Sequence, residues 1–169
     1  MTLIRSENPE DIPAIRIVNE RAFGRPAEAD LVDALRRNGK TLVSLVAEVN
    51  GSVVGHILFS PVTIETEAQK FLGVGLAPLA VLPEFQNRGV GSLLVEYGLE
   101  QCRAAGHSFV VVLGHANYYP RFGFTKASRF GIKCEYEVAE DHFMAIELHE
   151  GVLQNRTGIA RYQSEFNEV

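Results

Sequence analysis

A chain of 169 residues that is 46 % hydrophobic, with a mean hydropathy of +0.02, has the size and balance of one soluble enzyme-sized domain. Its net charge of −5 and pI near 5.5 argue against a nucleic-acid partner and lean toward a cationic one such as an amine. No apolar run reaches the roughly 18 residues of a membrane helix, Met1 to Arg5 lacks an export signal's apolar segment, and Cys102 and Cys134 have no C-x-x-C spacing. The expectation is therefore a cytoplasmic protein with no membrane partner and no disulfide.

In chain order, Leu3 to Arg5 is a short first strand. Asn8-Pro9-Glu10-Asp11 reads as a helix start, with a capping side chain, a proline in the first turn and acidic residues near the positive helix end. That helix is expected to run to Phe23, turning Ile12, Ile15, Val18 and Ala22 inward. Pro26 opens a second helix carrying Leu31, Val32 and Leu35 and stopping at Asn38-Gly39. Leu42 to Val49 and Ser52 to Ile64 flank Asn50-Gly51, a strong hairpin signal. Polar residues from Glu65 to Lys70 turn the chain into a strand from Val74 to Val81. A helix from Val90 to Ala105 follows, with Leu94, Tyr97 and Leu99 at helical spacing and Gly106 as its stop. Phe109 to Leu113 is a buried strand, a helical turn lies near Asn117 to Arg121, and Phe143 to Leu148 is a late strand. The predicted product is an α/β fold: a mixed, mostly antiparallel sheet of about six to seven strands with helices on both faces.

The chemistry concentrates between Leu79 and Ser92. An apolar strand, Leu79-Ala80-Val81, stops at Pro83, and Gln86-Asn87-Arg88-Gly89-Val90-Gly91-Ser92 then opens the long helix. Glycines there remove side chains where the helix begins, so several backbone N–H groups can converge on one phosphate or pyrophosphate, with Arg88 beside them. This is not a P-loop, because no lysine lies between Lys70 and Lys126, and it is a poor dinucleotide fingerprint, because Q-x-x-G-x-G (Gln86, Gly89, Gly91) does not follow a first strand. The pattern resembles motif A of the GNAT superfamily of acyl-CoA-dependent N-acetyltransferases. A second block, His115-Ala116-Asn117-Tyr118-Tyr119-Pro120-Arg121-Phe122-Gly123-Phe124, is similar to the GNAT segment with a tyrosine, three residues and then Gly-Phe. Arg21 to Pro26, Gly55 to Val62, Phe143 to Leu148 and the tail Arg161 to Phe166 resemble the small bacterial YhbS-type branch. The resemblance thus spans nearly all of residues 1–169, as one acetyltransferase domain.

That resemblance implies acetyl-CoA as co-substrate and a central sheet splayed at its site. Leu79, Ala80 and Val81 would offer backbone bonds to pantetheine, and Gln86, Asn87, Arg88, Gly89, Val90, Gly91 and Ser92 would surround the pyrophosphate. Asn117 would touch the cofactor or merely cap a turn. Tyr119 would protonate the departing thiolate, with neighbouring Tyr118 packing or facing the acceptor. An amine must lose a proton before it attacks a thioester, so a base or a water chain is needed. Many GNAT enzymes carry a strand glutamate for this, but Phe109-Val110-Val111-Val112-Leu113 has no carboxylate. His115, just past that strand, is the nearest candidate; His56 and an ordered water chain remain alternatives. His107, His142 and His149 lack metal-ligand spacing, so no metal is expected, and neither cysteine supports a covalent route. The expected acceptor is an amine of a small molecule or peptide. A sensor that binds CoA without turnover is the alternative, and monomer and homodimer are both left open.

Overall fold

The computed structural model describes residues 1–169. It begins with strand β1 (Thr2–Ser6), a 3-10 turn at Pro9–Asp11, and helices α1 (Ile12–Phe23) and α2 (Ala27–Arg37). Strands β2 (Val43–Val49), β3 (Ser52–Glu65) and β4 (Lys70–Val81) follow, then α3 (Val90–Ala104) and β5 (Phe109–Leu113). The rest is short: β6 (Thr125–Lys126), β7 (Ile132–Cys134), β8 (Phe143–Glu147) and β9 (Gly158–Arg161). The sheet order is β1-β2-β3-β4-β5-β8-β6, with β9 pairing both the end of β3 and β7. All pairs are antiparallel except β4–β5 and β7–β9. The mixed sheet is as predicted, but with β7 and β9 it has nine strands.

Local signals explain most of these boundaries. Asn50 and Gly51 take φ of 50° and 81°, the left-handed pair that a type I′ turn requires, and this locks the β2–β3 hairpin. The first helix starts later than expected because Pro13 has no N–H to give the carbonyl of Pro9. The stretch Pro9–Asp11 closes instead as a 3-10 turn, with Asn8 N–H donating to the Asp11 carboxylate at 2.7 Å.

Alternation along β2 and β3 divides the core. Leu45, Ala47, Ile57 and Phe59 meet α3, while Val46 and Leu58 meet Ile15 of α1 and Leu31, Val32 and Leu35 of α2. Helices therefore cover both faces. On α3 the inward stripe is Val90, Leu94, Val95, Gly98, Leu99 and Cys102. Tyr97, expected on that stripe, is turned outward and 52 % exposed. The reason is the seat of the helix on the sheet at Gly98, where an added Cβ would lie 2.3 Å from Phe59 Cε2. Each fully buried leucine in this core, Leu94 for example, contributes about 1.5–3 kcal/mol.

The feature that creates a site lies in β4. Its register with β3 runs Ile57 with Leu79 but Phe59 with Leu76, so β4 carries one extra residue at Ala77-Pro78. Proline has no N–H for a ladder and is at home in a bulge. On the other side, β4 pairs with β5 only from Val74 to Leu76, opposite Val110 to Val112. Beyond that point the two parallel strands part.

Candidate active site

Two adjoining cavities fill the gap between the parted strands. One, of about 500 Å³, is lined by Leu79, Val81, Gln86, Asn87, Gly89, Gly91, Ser92, Tyr118 and Arg121. The other, of about 670 Å³, runs between Leu76-Ala77-Pro78-Leu79 on β4 and Leu113-Gly114-His115 after β5, beneath the α1–α2 junction. Leu79 and Tyr118 line both, so the two spaces adjoin.

The first cavity ends at the start of α3. From Asn87 to Ser92 no backbone N–H has an acceptor within the protein; the first helical bond is Leu93 N–H to the Gly89 carbonyl, 3.1 Å. No side chain caps the helix. Asn87 (φ 61°) and Gly89 (φ 83°) are both left-handed, which turns successive N–H groups toward one concavity. Gly91 matters for another reason: a Cβ there would stand 3.0 Å from Tyr118 Oη, so a side chain would fill the cleft. Open donors at a helix N-terminus suit an anion, and the lining Arg121 adds a positive charge, stacked at 4.7 Å over the Tyr118 ring.

The expected cofactor residues therefore divide by role. Gln86 reaches back, its amide donating to the Val81 carbonyl at 2.9 Å, and so straps the turn to the end of β4. Val90 and Ala80 point their side chains into buried surroundings and can offer only backbone. The Arg88 guanidinium sits over Phe85 at 5.6 Å and lines neither cavity. Asn117 is exposed and lines neither cavity.

The two tyrosines point different ways. Tyr118 Oη lies 3.5 Å from Ser92 Oγ, at the start of α3, while its ring packs against Tyr119 and Phe122 and lines both cavities. Tyr119 is buried, its ring edge-on to Phe124 at 5.6 Å and to Tyr118 at 5.1 Å, and it lines the larger cavity. Its hydroxyl makes no hydrogen bond within the protein, yet it is not among the sealed, unpartnered polar atoms, so it opens into that space. Burial, reinforced by Tyr118, pushes its pKa well above the usual phenol value.

His115 is exposed at the same cavity's rim. His56 is not in either cavity: it is fully buried, and burial lowers its pKa to about 4. Its Nε2 is 2.9 Å from Ser44 Oγ and its Nδ1 3.3 Å from Asn19 Nδ2. Ser44 donates to Glu7, which Arg36 holds at 3.1 Å. With Ser44 donating outward, it accepts from His56 Nε2–H, leaving Nδ1 to accept from Asn19. His56 is thus a satisfied core residue, and the alternative of His56 as base is set aside.

Glu28 was missed in the sequence. It is 8 % exposed and lines the larger cavity from α2, with Arg25 Nε at 3.0 Å and Nη2 at 2.5 Å from its two oxygens. The signal was available: Glu28 stands three, four and seven residues before Leu31, Val32 and Leu35, so an acid shares the apolar helical face. No group of three or more His, Cys, Asp or Glu is arranged to hold a metal, and no helix is long and apolar enough to cross a membrane.

A sheet parted at a bulged strand, an uncapped glycine turn and a tyrosine in the gap define a class, and comparison with known proteins agrees. Residues 3–127 match the family described as acetyltransferase (GNAT) domain. The uncharacterized N-acetyltransferase YhbS of Escherichia coli K12 is 37 % identical over 166 residues, covering 98 % of both chains. YjhQ of the same organism is 45 % identical over 78 % of this chain and 75 % of its own. The crystal structure of E. coli YhbS in complex with CoA superposes with a TM-score of 0.93 at 36 % identity, covering 98 % of this chain and 92 % of that one. A Brucella melitensis GNAT acetyltransferase in complex with acetyl-CoA gives 0.81 at 36 % identity, with 98 % of each covered. The chain belongs to the GNAT family of N-acetyltransferases.

Proposed function

We propose that this chain, as one domain acting in the cytoplasm, moves the acetyl group of acetyl-CoA to a primary amine of a small molecule or peptide by direct attack in a ternary complex. The observation that carries the reading is the run of unpartnered N–H groups from Asn87 to Ser92, in a cavity that adjoins at Leu79 a second one lined by Tyr119 and His115. Relatives crystallised with CoA and acetyl-CoA support the same assignment. The pyrophosphate rests on the turn, with Arg121 beside it. Pantetheine lies along the β4 edge that β5 leaves unpaired after Leu76, and backbone N–H groups of that edge polarise the thioester carbonyl.

In the larger cavity the amine nitrogen bonds to the thioester carbon and the carbon–sulfur bond breaks. His115 takes one proton from the ammonium before attack. Tyr119 gives its proton to the departing sulfur, and the second proton that the amine loses restores the phenol. Because its phenol is held protonated by burial, it remains a donor throughout the working pH range. The test is thiol release in a coupled assay with a primary-amine panel, alongside calorimetry of acetyl-CoA binding. Turnover whose rise with pH flattens in His115→Ala supports the assignment. Binding without turnover from any amine would make the protein a CoA sensor.

A further inference from the structure

Ten of the fifteen residues lining the larger cavity are hydrophobic, including Phe23, Leu31, Leu76, Leu113 and Phe166. Its volume of about 670 Å³ is that of a small-molecule site. Among this apolar surface stands one acidic side chain, Glu28. Its side chain is 10 % exposed, while that of its partner Arg25 is 58 % exposed, so the acid faces inward and the guanidinium sits at the rim. A carboxylate has about four acceptor positions, and Arg25 occupies two.

We infer that the acceptor is a primary amine carried on a bulky apolar body, an arylalkylamine or branched alkylamine, and that Glu28 is the specificity-determining residue that receives its ammonium. The inference rests on the acetyltransferase reading above. The apolar wall gains by covering hydrocarbon, whereas an amino sugar would bury hydroxyls with no partner there, and a polyamine would bring a second cation that no other acidic side chain of the lining meets. Phe23, 40 % exposed on the free protein, gains a role as part of the entrance wall.

The experiment is steady-state thiol release by the full chain at saturating acetyl-CoA with 2-phenylethylamine, isoamylamine, glucosamine, spermidine and a lysine-containing tripeptide. The two apolar amines should exceed the others in kcat/KM by roughly 30-fold or more. Glu28→Gln should raise KM for 2-phenylethylamine about tenfold or more, with kcat and acetyl-CoA affinity little changed, because it removes a charged hydrogen-bond acceptor. Arg25→Gln, which frees the carboxylate, should leave that KM equal or lower, and it serves as the second variant if Glu28→Gln fails to fold. Preference for glucosamine, spermidine or the tripeptide overturns the substrate class, and so does an unchanged KM in Glu28→Gln or a raised one in Arg25→Gln. Acetyl-CoA binding with no turnover of any amine overturns the transferase reading itself, a distinct result.

Discussion

Replacing Tyr119 by phenylalanine removes one hydroxyl and keeps the ring that packs edge-on against Phe124 and Tyr118. The lost hydroxyl has no hydrogen-bond partner within the protein, so the thermal midpoint should hold within a few degrees. The cost falls on the departing sulfur, which loses its donor. A general acid contributes at least about 10²-fold, so kcat should drop by that factor, roughly 2.7 kcal/mol of transition-state stabilisation, with acetyl-CoA affinity little changed. Tyr118→Phe is the control. It loses only a 3.5 Å contact to Ser92 Oγ and should lower kcat less than about threefold, because its hydroxyl serves the cofactor cleft. The pH profile adds an independent check. Burial favours the neutral phenol, so its ionisation moves upward, and wild-type kcat should show no descending limb from Tyr119 below pH ~10. Stopped-flow or coupled thiol detection on both variants decides the matter. Reversed effects would assign the donor to Tyr118, and two silent variants would show that solvent protonates the thiolate.

Two further outcomes follow from the same geometry. Gly91→Val places a side chain against Tyr118 Oη in the cofactor cleft, so calorimetry should show acetyl-CoA binding weakened roughly tenfold or more while the melting curve barely moves; unchanged affinity in a folded variant removes the phosphate-turn assignment. For His56, the folded pKa of about 4 lies below the unfolded value near 6.5, so between these values the unfolded chain binds the extra proton. The resulting stability is present above pH ~6.5 and lost as pH falls toward 4, up to about 3 kcal/mol. Urea unfolding at pH 7 and 4.5 should register that loss, and His56→Gln should reduce the difference; an equal slope in the variant assigns it to other groups.

The predictions that succeeded from sequence were those set by a few adjacent residues. Asn50-Gly51 adopts the two positive φ angles that its chemistry favours, and Gly106 stops α3 in the left-handed conformation. The uncapped turn from Asn87 to Ser92 follows from glycines at two positions and needs no distant contact to form. The misses came from longer range. Helical spacing admitted Tyr97 to the buried stripe of α3, but the Phe59 ring beneath Gly98 determines how the helix is rotated on the sheet. The strands β7 and β9 are too short to show a period and exist because they pair with each other and β9 pairs with the end of β3.

The same division holds at the candidate site. The residue types able to bind a pyrophosphate and donate to a thiolate are written in two local segments, Gln86 to Ser92 and Tyr118 to Phe124, because turn geometry and helix polarity are properties of short stretches. Their meeting is not local. It depends on the extra residue at Ala77-Pro78, which lets β4 leave β5 after Leu76, and on α2 delivering Glu28 to a wall formed by strands far along the chain. Whether a histidine can reach a substrate is likewise decided by what surrounds it: His115 ends at a cavity rim and His56 is sealed under α1 with Asn19 and Ser44. Sequence spacing carries the period of one element, whereas burial and cavity walls arise from the packing of several, so the candidate residues were legible in the chain and their arrangement only in the fold.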